Sequence, residues 1–258
     1  MNHGLYWQVS GQGRDLVLVH GWGMNGAVWQ QTVTQLERDF RVHVVDLPGY
    51  GHSAHCHAVS LDEIAEQLII DAPKNAIWVG WSLGGLVATF MALNYPCYLN
   101  KLVTVASSPK FSSVKEPVSW RGIAPDVLGA FTEQLMDDFQ GTIDRFMGLQ
   151  AMGSPTARQD VKLLRKAVLS RPTPNPESLL AGLKMLSDVD LREQLAQISV
   201  PMLRLYGRLD GLVPLKVSKD LTKALPNSKQ YIFTQSSHAP FMTENAVFCQ
   251  QLLNFADS

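Results

Sequence analysis

Apolar residues along this chain fall into two alternating patterns. Short, nearly continuous runs occur at about 16–19, 42–45, 77–79, 102–105, 202–206 and 230–233. Between most of them, at about 26–38, 61–72, 83–94, 216–224 and 244–256, apolar residues recur every three or four positions. The first pattern predicts strands buried on both faces and the second predicts amphipathic helices. Their alternation predicts an α/β protein with a mostly parallel central sheet and helices on both faces.

The alternation stops at about 110 and resumes at about 196. In between, Leu128, Phe131, Leu135, Phe139, Ile143 and Phe146 follow one another at spacings of three and four, which places them on one helical face. Asn175-Pro176 reads as an N-cap followed by Pro at the first helical position, opening a helix with Leu179, Leu183 and Leu186. The expected organisation is a core formed by 1–109 and 196–258, with 110–195 inserted as a helical cap over one edge of the sheet. Residues 75–100 carry no charge and are long enough to span a bilayer. Gly80, Ser82, Gly84, Gly85, Asn94 and Pro96 divide them instead into strand, turn and helix.

Composition narrows the class. At 258 residues the chain can bury a core without disulfides or metal. Hydrophobic residues make up 46% and charged residues 17%, the reverse of a disordered chain. The net charge of −1 supplies no overall basic field for nucleic acid or an anionic membrane, and neither is expected as a partner. Cys56, Cys97 and Cys249 are an odd, sparse set that fits a reducing compartment rather than a disulfide framework. The first seven residues show no basic segment followed by an apolar run, so no signal peptide is read there. A cytoplasmic monomer is the expectation.

The chemistry lies at strand ends. Gly80-Trp81-Ser82-Leu83-Gly84 is a G-x-S-x-G motif with a predicted strand before it and a predicted helix after it. That context forms a sharp turn which pushes a serine hydroxyl out of the sheet, and the small residues two before and two after leave room for it. A serine nucleophile needs a base, and the base needs an acid to orient it. His238 is the only histidine after Ser82 and follows the last predicted strand. Asp210 follows the fifth, between Gly207 and Gly211, and gives the chain order Ser, Asp, His. Asp46, Asp188 and Asp190 are the competing acids; Asp46 precedes the serine and breaks that order. His20-Gly21-Trp22-Gly23 follows the first predicted strand, so the backbone N–H groups of Trp22 and Leu83 are candidate donors to an oxyanion. His20 itself reads as a buried, hydrogen-bonded residue. His52, His55, Cys56 and His57 crowd together, but neighbouring side chains rarely converge on one ion and no spaced second pair exists, so no metal site is expected.

Together these residues resemble an α/β-hydrolase from about residue 14 to the C-terminus. Asp46-Leu47-Pro48-Gly49-Tyr50-Gly51-His52-Ser53 is similar to that family's early sheet-edge turn. The segments 80–88, 104–109, 203–207 and 209–214 are similar to the biotin-synthesis carboxylesterases, which cleave the methyl ester of pimeloyl–acyl carrier protein. The resemblance implies Ser82, Asp210 and His238 as a catalytic triad working through an acyl-enzyme without a cofactor. It implies Trp22 and Leu83 lining the ester, and substrate contacts from Phe146, Met147, Gly148, Leu149 and Gln150. The acidic carrier protein is the implied partner.

One charged feature bears on that partner. Between Arg158 and Arg171 there are five basic residues (Arg158, Lys162, Arg165, Lys166, Arg171) against one acid, Asp160. Arg158, Lys162 and Arg165 or Lys166 recur at helical spacing, and Arg145 could join them. They form either a docking stripe for the carrier protein, a solvated face, or partners for Asp126, Glu133, Asp137, Asp138 and Asp144. The alternatives for the whole chain are a general short-chain carboxylesterase, a carbon–carbon-bond hydrolase of the same fold, a noncatalytic hydrolase-like binding protein, or a metal-binding protein.

Overall fold

The structure is a computed structural model that describes residues 4–116 and 119–258. Its seven strands are β1 (Trp7–Ser10), β2 (Arg14–Val19), β3 (Phe40–Val45), β4 (Ala76–Trp81), β5 (Leu99–Val105), β6 (Met202–Gly207) and β7 (Lys229–Phe233). They form one sheet in the order β1-β3-β2-β4-β5-β6-β7. Only β1 runs antiparallel to its neighbour; every other pair is parallel. β4 and β6 are buried along their whole length, as continuous apolar runs require.

The helices of the sheet layers are α1 (Gln30–Leu36), α2 (Leu61–Asp71), α3 (Leu83–Asn94), and, late in the chain, α8 (Leu215–Ala224), α9 (Pro240–Thr243) and α10 (Asn245–Ala256). Between β5 and β6 lie α4 (Pro125–Asp137), α5 (Phe139–Ala151), α6 (Ala157–Leu169) and α7 (Pro176–Asp188). The two ends of this helical insertion meet: Leu191 N–H donates to the Pro109 carbonyl at 3.0 Å, and the Lys110 ammonium lies 3.6 Å from Asp190. Asn175 caps α7 as expected, accepting from the N–H groups of Glu177 and Ser178. Residues 75–100 divide into β4, a turn and α3, and among the described residues no helix is long and apolar enough to cross a membrane.

The structure corrects three details. β1 lies outside the predicted strands: it pairs only with β3 at the sheet edge, and its Val9 is 52% exposed, so it carries no apolar run. The helical face expected from Leu128 to Phe146 belongs to two helices. The chain turns at Asp138, whose carboxylate accepts from Gly141 N–H and starts α5 afresh. Before α4, where no strand was expected, Ser112 bridges Ile123 and Val114 bridges Trp120.

The strand order places the site. β2 leads leftward to β3, whereas β4 lies on the other side of β2. Ligands of parallel sheets bind at the carboxyl ends of strands where the order reverses. The loop of Gly21, Trp22 and Gly23 leaves the end of β2, and Ser82 follows the end of β4.

Candidate active site

Ser82 stands alone between the last residue of β4 and the first of α3, at φ 55° and ψ −117°. L side chains avoid that region, so the surroundings must hold the residue there. A Cβ on Gly80 would lie 2.1 Å from the Gly84 carbonyl oxygen, and one on Gly84 2.5 Å from the carbonyl oxygens of Val19 and His20. Both glycines of the motif are therefore required by close approach of backbone. Ser82 N–H donates to the Val105 carbonyl at 2.9 Å, and its own carbonyl accepts from the Ser107 hydroxyl at 2.8 Å. Nothing in the motif itself reveals that last contact.

His238 and Asp210 complete a chain of hydrogen bonds. Ser82 Oγ lies 2.9 Å from His238 Nε2, and His238 Nδ1 lies 2.8 Å from Asp210 Oδ2. A carboxylate only accepts, so Nδ1 carries the proton and Nε2 is left to accept from the serine hydroxyl. The other oxygen of Asp210 accepts from the N–H groups of Leu212 and Val213 at 2.8 and 3.0 Å. All three residues are buried. The His238 backbone is held as well: its N–H donates to the Gln150 carbonyl at 3.0 Å, and its carbonyl accepts from the Trp81 indole at 2.7 Å.

The loop after β2 faces this chain. A Cβ on Gly21 would come within 3.1 Å of the Ser82 Cβ. Among the described residues, neither the Trp22 N–H nor the Leu83 N–H has a hydrogen-bond acceptor within the protein. The Trp22 indole N–H donates to the Leu179 carbonyl in α7 at 2.8 Å, and its ring meets Phe146 edge-on at 4.7 Å. His20 is fully buried. Its Nε2 accepts from Leu47 N–H, so Nδ1 is the protonated nitrogen and donates to the Gly21 carbonyl. Burial pushes its pKa down to about 4, despite the opposing pull of Asp46. It is a neutral structural residue, as its position suggested.

The five residues expected to touch substrate divide. Phe146, Met147 and Gln150 are buried, and the Gln150 side-chain oxygen has no hydrogen-bond partner. Gly148 is exposed on α5, and Leu149 beside it is half-buried against the core. Both line an open cleft of about 560 Å³ against α4, with Phe131, Gln134, Arg145 and Met152. Asp46, the competing acid, makes no hydrogen bond to His238, whose ring nitrogens face Ser82 and Asp210. It accepts from Gly26 N–H, His52 N–H and the Arg171 guanidinium. Arg171, one of the five basic residues of 158–171, is consequently turned inward and adds nothing to that segment's exposed charge. Arg158, Lys162, Arg165 and Lys166 are exposed on α6, while Arg165 pairs with Asp144 at 3.5 Å and Arg145 with Asp138 at 3.8 Å. Asp160 is buried beneath them, accepting from Ser154, Thr156 and Thr243 hydroxyls. Among the described residues no three His, Cys, Asp or Glu side chains are grouped to hold a metal.

Fold and site together are those of an α/β hydrolase, and a family model described as the alpha/beta hydrolase fold matches residues 16–245. A hydrolase from Oleispira antarctica has a similar structure, with a TM-score of 0.87 at 21% identity, covering 99% of this chain and 96% of that one. A bromoperoxidase from Bacillus anthracis gives a TM-score of 0.86 at 25% identity, covering 98% and 95%. At the sequence level, a pimeloyl-acyl-carrier-protein methyl ester esterase of Vibrio atlanticus is 78% identical over 256 residues, 99% of each chain. The enzyme of the same name from Vibrio cholerae is 72% identical over the same length and coverage. One from Aliivibrio fischeri is 56% identical, covering 97% of this chain and 96% of its own. The chain belongs to the α/β-hydrolase family and, within it, to these methyl ester esterases. It is a carboxylic ester hydrolase.

Proposed function

We propose that Ser82, His238 and Asp210 hydrolyse the methyl ester of pimeloyl–acyl carrier protein, as the names of the relatives indicate for those proteins. The observation that carries the reading is the unbroken chain from Ser82 Oγ through the imidazole to Asp210, buried at the carboxyl ends of the strands. Ser82 Oγ attacks the ester carbonyl as His238 Nε2 takes its proton. Asp210 fixes the imidazole tautomer and stabilises the imidazolium. The N–H groups of Trp22 and Leu83 receive the oxyanion. The tetrahedral intermediate expels methanol, protonated by His238, and leaves an acyl-enzyme. Water then attacks the acyl carbonyl with His238 again as base, releasing the free carboxyl group and restoring Ser82. No step in this sequence calls for a cofactor.

Residues 110–195 serve as a cap on the core of 1–109 and 196–258. Phe146, Met147 and Gln150 contribute the substrate-facing side of that cap, and Gly148 and Leu149 its outer cleft. The exposed cations Arg145, Arg158, Lys162 and Arg165 offer the acidic carrier protein a docking surface. The protein acts as a cytoplasmic monomer in biotin precursor synthesis.

The test compares purified enzyme on the methyl ester of free pimelate and on the same ester attached to its carrier. Turnover of both, with kcat/KM higher for the carrier-bound ester, is the expected result. Ser82→Ala is expected to fold normally and lose nearly all activity, leaving roughly 10³-fold acceleration over water. Retention of a tenth of wild-type turnover by Ser82→Ala, or no labelling of wild type by a fluorophosphonate, would overturn the reading.

A further inference from the structure

Asp46 stands at the end of β3, in a motif to which ester chemistry assigns no task. Its carboxylate is fully buried and each oxygen is occupied. Oδ1 accepts from Gly26 N–H at 2.7 Å and from Arg171 Nη1 at 2.6 Å; Oδ2 accepts from His52 N–H at 2.8 Å. Arg171, just beyond the end of α6, has only 7% of its side chain exposed. Its Nη2 donates to Gln8 in β1 at 2.9 Å, and its guanidinium lies 5.2 Å from the Tyr6 ring centre. The pair thus joins the cap to three parts of the core, and one of these is Gly26, four residues after Trp22.

A second, neutral link runs beside it. Asn25 Oδ1 accepts from Ala27 N–H, while its Nδ2 donates to the carbonyls of Ala167 and Val168 in the last turn of α6. The loop from His20 to Gly26 is therefore held at both ends and in the middle. His20 ties its start to Leu47, the Trp22 indole ties its tip to α7, and Asn25 with the Asp46–Arg171 pair ties its end to α6. The space around Gly26 is full: a Cβ there would lie 2.5 Å from Val44 Cγ1, 3.0 Å from Arg171 Nη1 and 3.1 Å from Asp46 Oδ1.

We infer that the buried Asp46–Arg171 pair is a positioning device that sets the loop presenting the Trp22 N–H, so that the cap helps to build the oxyanion site as well as to cover it. The inference rests on the Trp22 and Leu83 N–H groups receiving the oxyanion, as proposed above. Removing one member of a buried ion pair leaves the other charge uncompensated, and the segment it held must then shift or admit water. Displacing a catalytic donor by about 1 Å is enough to cost about a hundredfold in rate.

The test uses Arg171→Met, which keeps an unbranched apolar stem in place of the aliphatic part of Arg and removes the guanidinium that reaches Asp46 and Gln8. On a small free methyl ester, which makes no use of a carrier protein, kcat should fall about ten- to a hundredfold while KM changes less than about threefold. A trifluoromethyl ketone that forms a tetrahedral adduct with the serine should lose affinity in parallel with kcat/KM. Asn25→Ser, which retains the acceptor for Ala27 N–H but cannot reach α6, should move both quantities in the same direction by less. A cooperatively melting Arg171→Met with kcat within twofold of wild type would overturn the inference. So would a loss of kcat with undiminished affinity for the ketone. If Arg171→Met does not fold, Arg171→Lys decides: it keeps the charge but cannot span Asp46 and Gln8 together, so a partial loss of both quantities is expected, and wild-type values of both would overturn the inference. A wild-type enzyme that ignores the ketone would refute the serine-esterase reading itself. Inhibited wild type beside an unaffected Arg171→Met would refute only the positioning role.

Discussion

The two halves of the proposed site are held by different means. Ser82 and Asp210 follow central strands, where parallel ladders on both sides fix the backbone. The strain at Ser82 persists because the sheet and α3 determine its place on every side. Trp22 and Phe146, by contrast, meet across the seam between core and cap. Separate polar contacts cross that seam, among them Trp22 to Leu179, Asn25 to Val168, His238 to Gln150 and Arg171 to Asp46. A change on the sheet side should alter the chemistry and spare the fold. A change on the seam should couple stability, pH and partner binding to the chemistry.

The sheet side is tested most sharply by Asp210→Asn. The amide still accepts from Leu212 and Val213 through its oxygen, but its NH₂ now faces His238 and holds the wrong tautomer. Turnover should fall by about 10³–10⁴-fold with little change in melting temperature. Asp46→Asn should instead lower stability and reduce turnover far less. Exchanged outcomes in paired melting and steady-state measurements would make Asp46 the more important acid for catalysis.

These contrasts follow what the sequence could reveal. The meeting of Ser82, Asp210 and His238 is legible because each stands in a local context, a strand end in a set chain order. β1 was not legible, because an edge strand with polar Gln8 and Ser10 lacks the run that marks a buried one. The break at Asp138 is not legible because the apolar spacing continues across it, and only the side-chain cap reveals the restart. Arg171 is indistinguishable from its basic neighbours because nothing near it in sequence shows that its partner lies 125 residues away. Contacts across the seam are long-range pairings, and those are invisible to periodicity. The loop after β2 is legible from its glycines, whereas the contacts that hold it are not.

At the start of the loop that carries Trp22, His20 makes stability depend on pH. Burial holds its folded-state pKa near 4, whereas the unfolded chain takes up the proton near 6.5. Between those values the unfolded state binds more protons, so stability is fully present above about 6.5 and declines as pH falls toward 4. The loss is about 3 kcal/mol for a shift from 6.5 to about 4. Urea unfolding at pH 7.5 and 4.5 should show a steep fall for wild type. The fall should be shallower for His20→Gln, whose side-chain oxygen can still accept from Leu47. Parallel curves would mean that His20 is not held neutral.

The smallest effect belongs to the outer face of the cap, farthest from the chemistry. Arg158, Lys162, Arg165 and Lys166 are exposed on α6, above its buried residues Asp160, Leu164 and Val168. Asp160 is turned inward to three hydroxyls and lies beneath the charged surface. Arg165 and Arg145 already face Asp144 and Asp138, at 3.5 and 3.8 Å, so their fields are partly cancelled. Arg158 and Lys162 are left as the stronger attraction for an acidic carrier, and exposed charges act mainly through long-range, salt-screened steering. Reversing both to Glu should raise KM for the carrier-bound ester about fivefold and flatten its dependence on salt. Reversing Arg165 alone should do less, because it also leaves Asp144 without its partner. Turnover of the small free ester should stay within twofold, since no contact of Ser82, His238 or Trp22 is touched. Titrating KM against sodium chloride for both substrates measures all of this at once. Equal losses on the two esters would mean that the substitutions had disturbed α6 and, through Val168 and Asn25, the loop beneath it. An unchanged salt slope on the carrier-bound ester would mean that the stripe is solvated surface and that the carrier docks elsewhere on the cap.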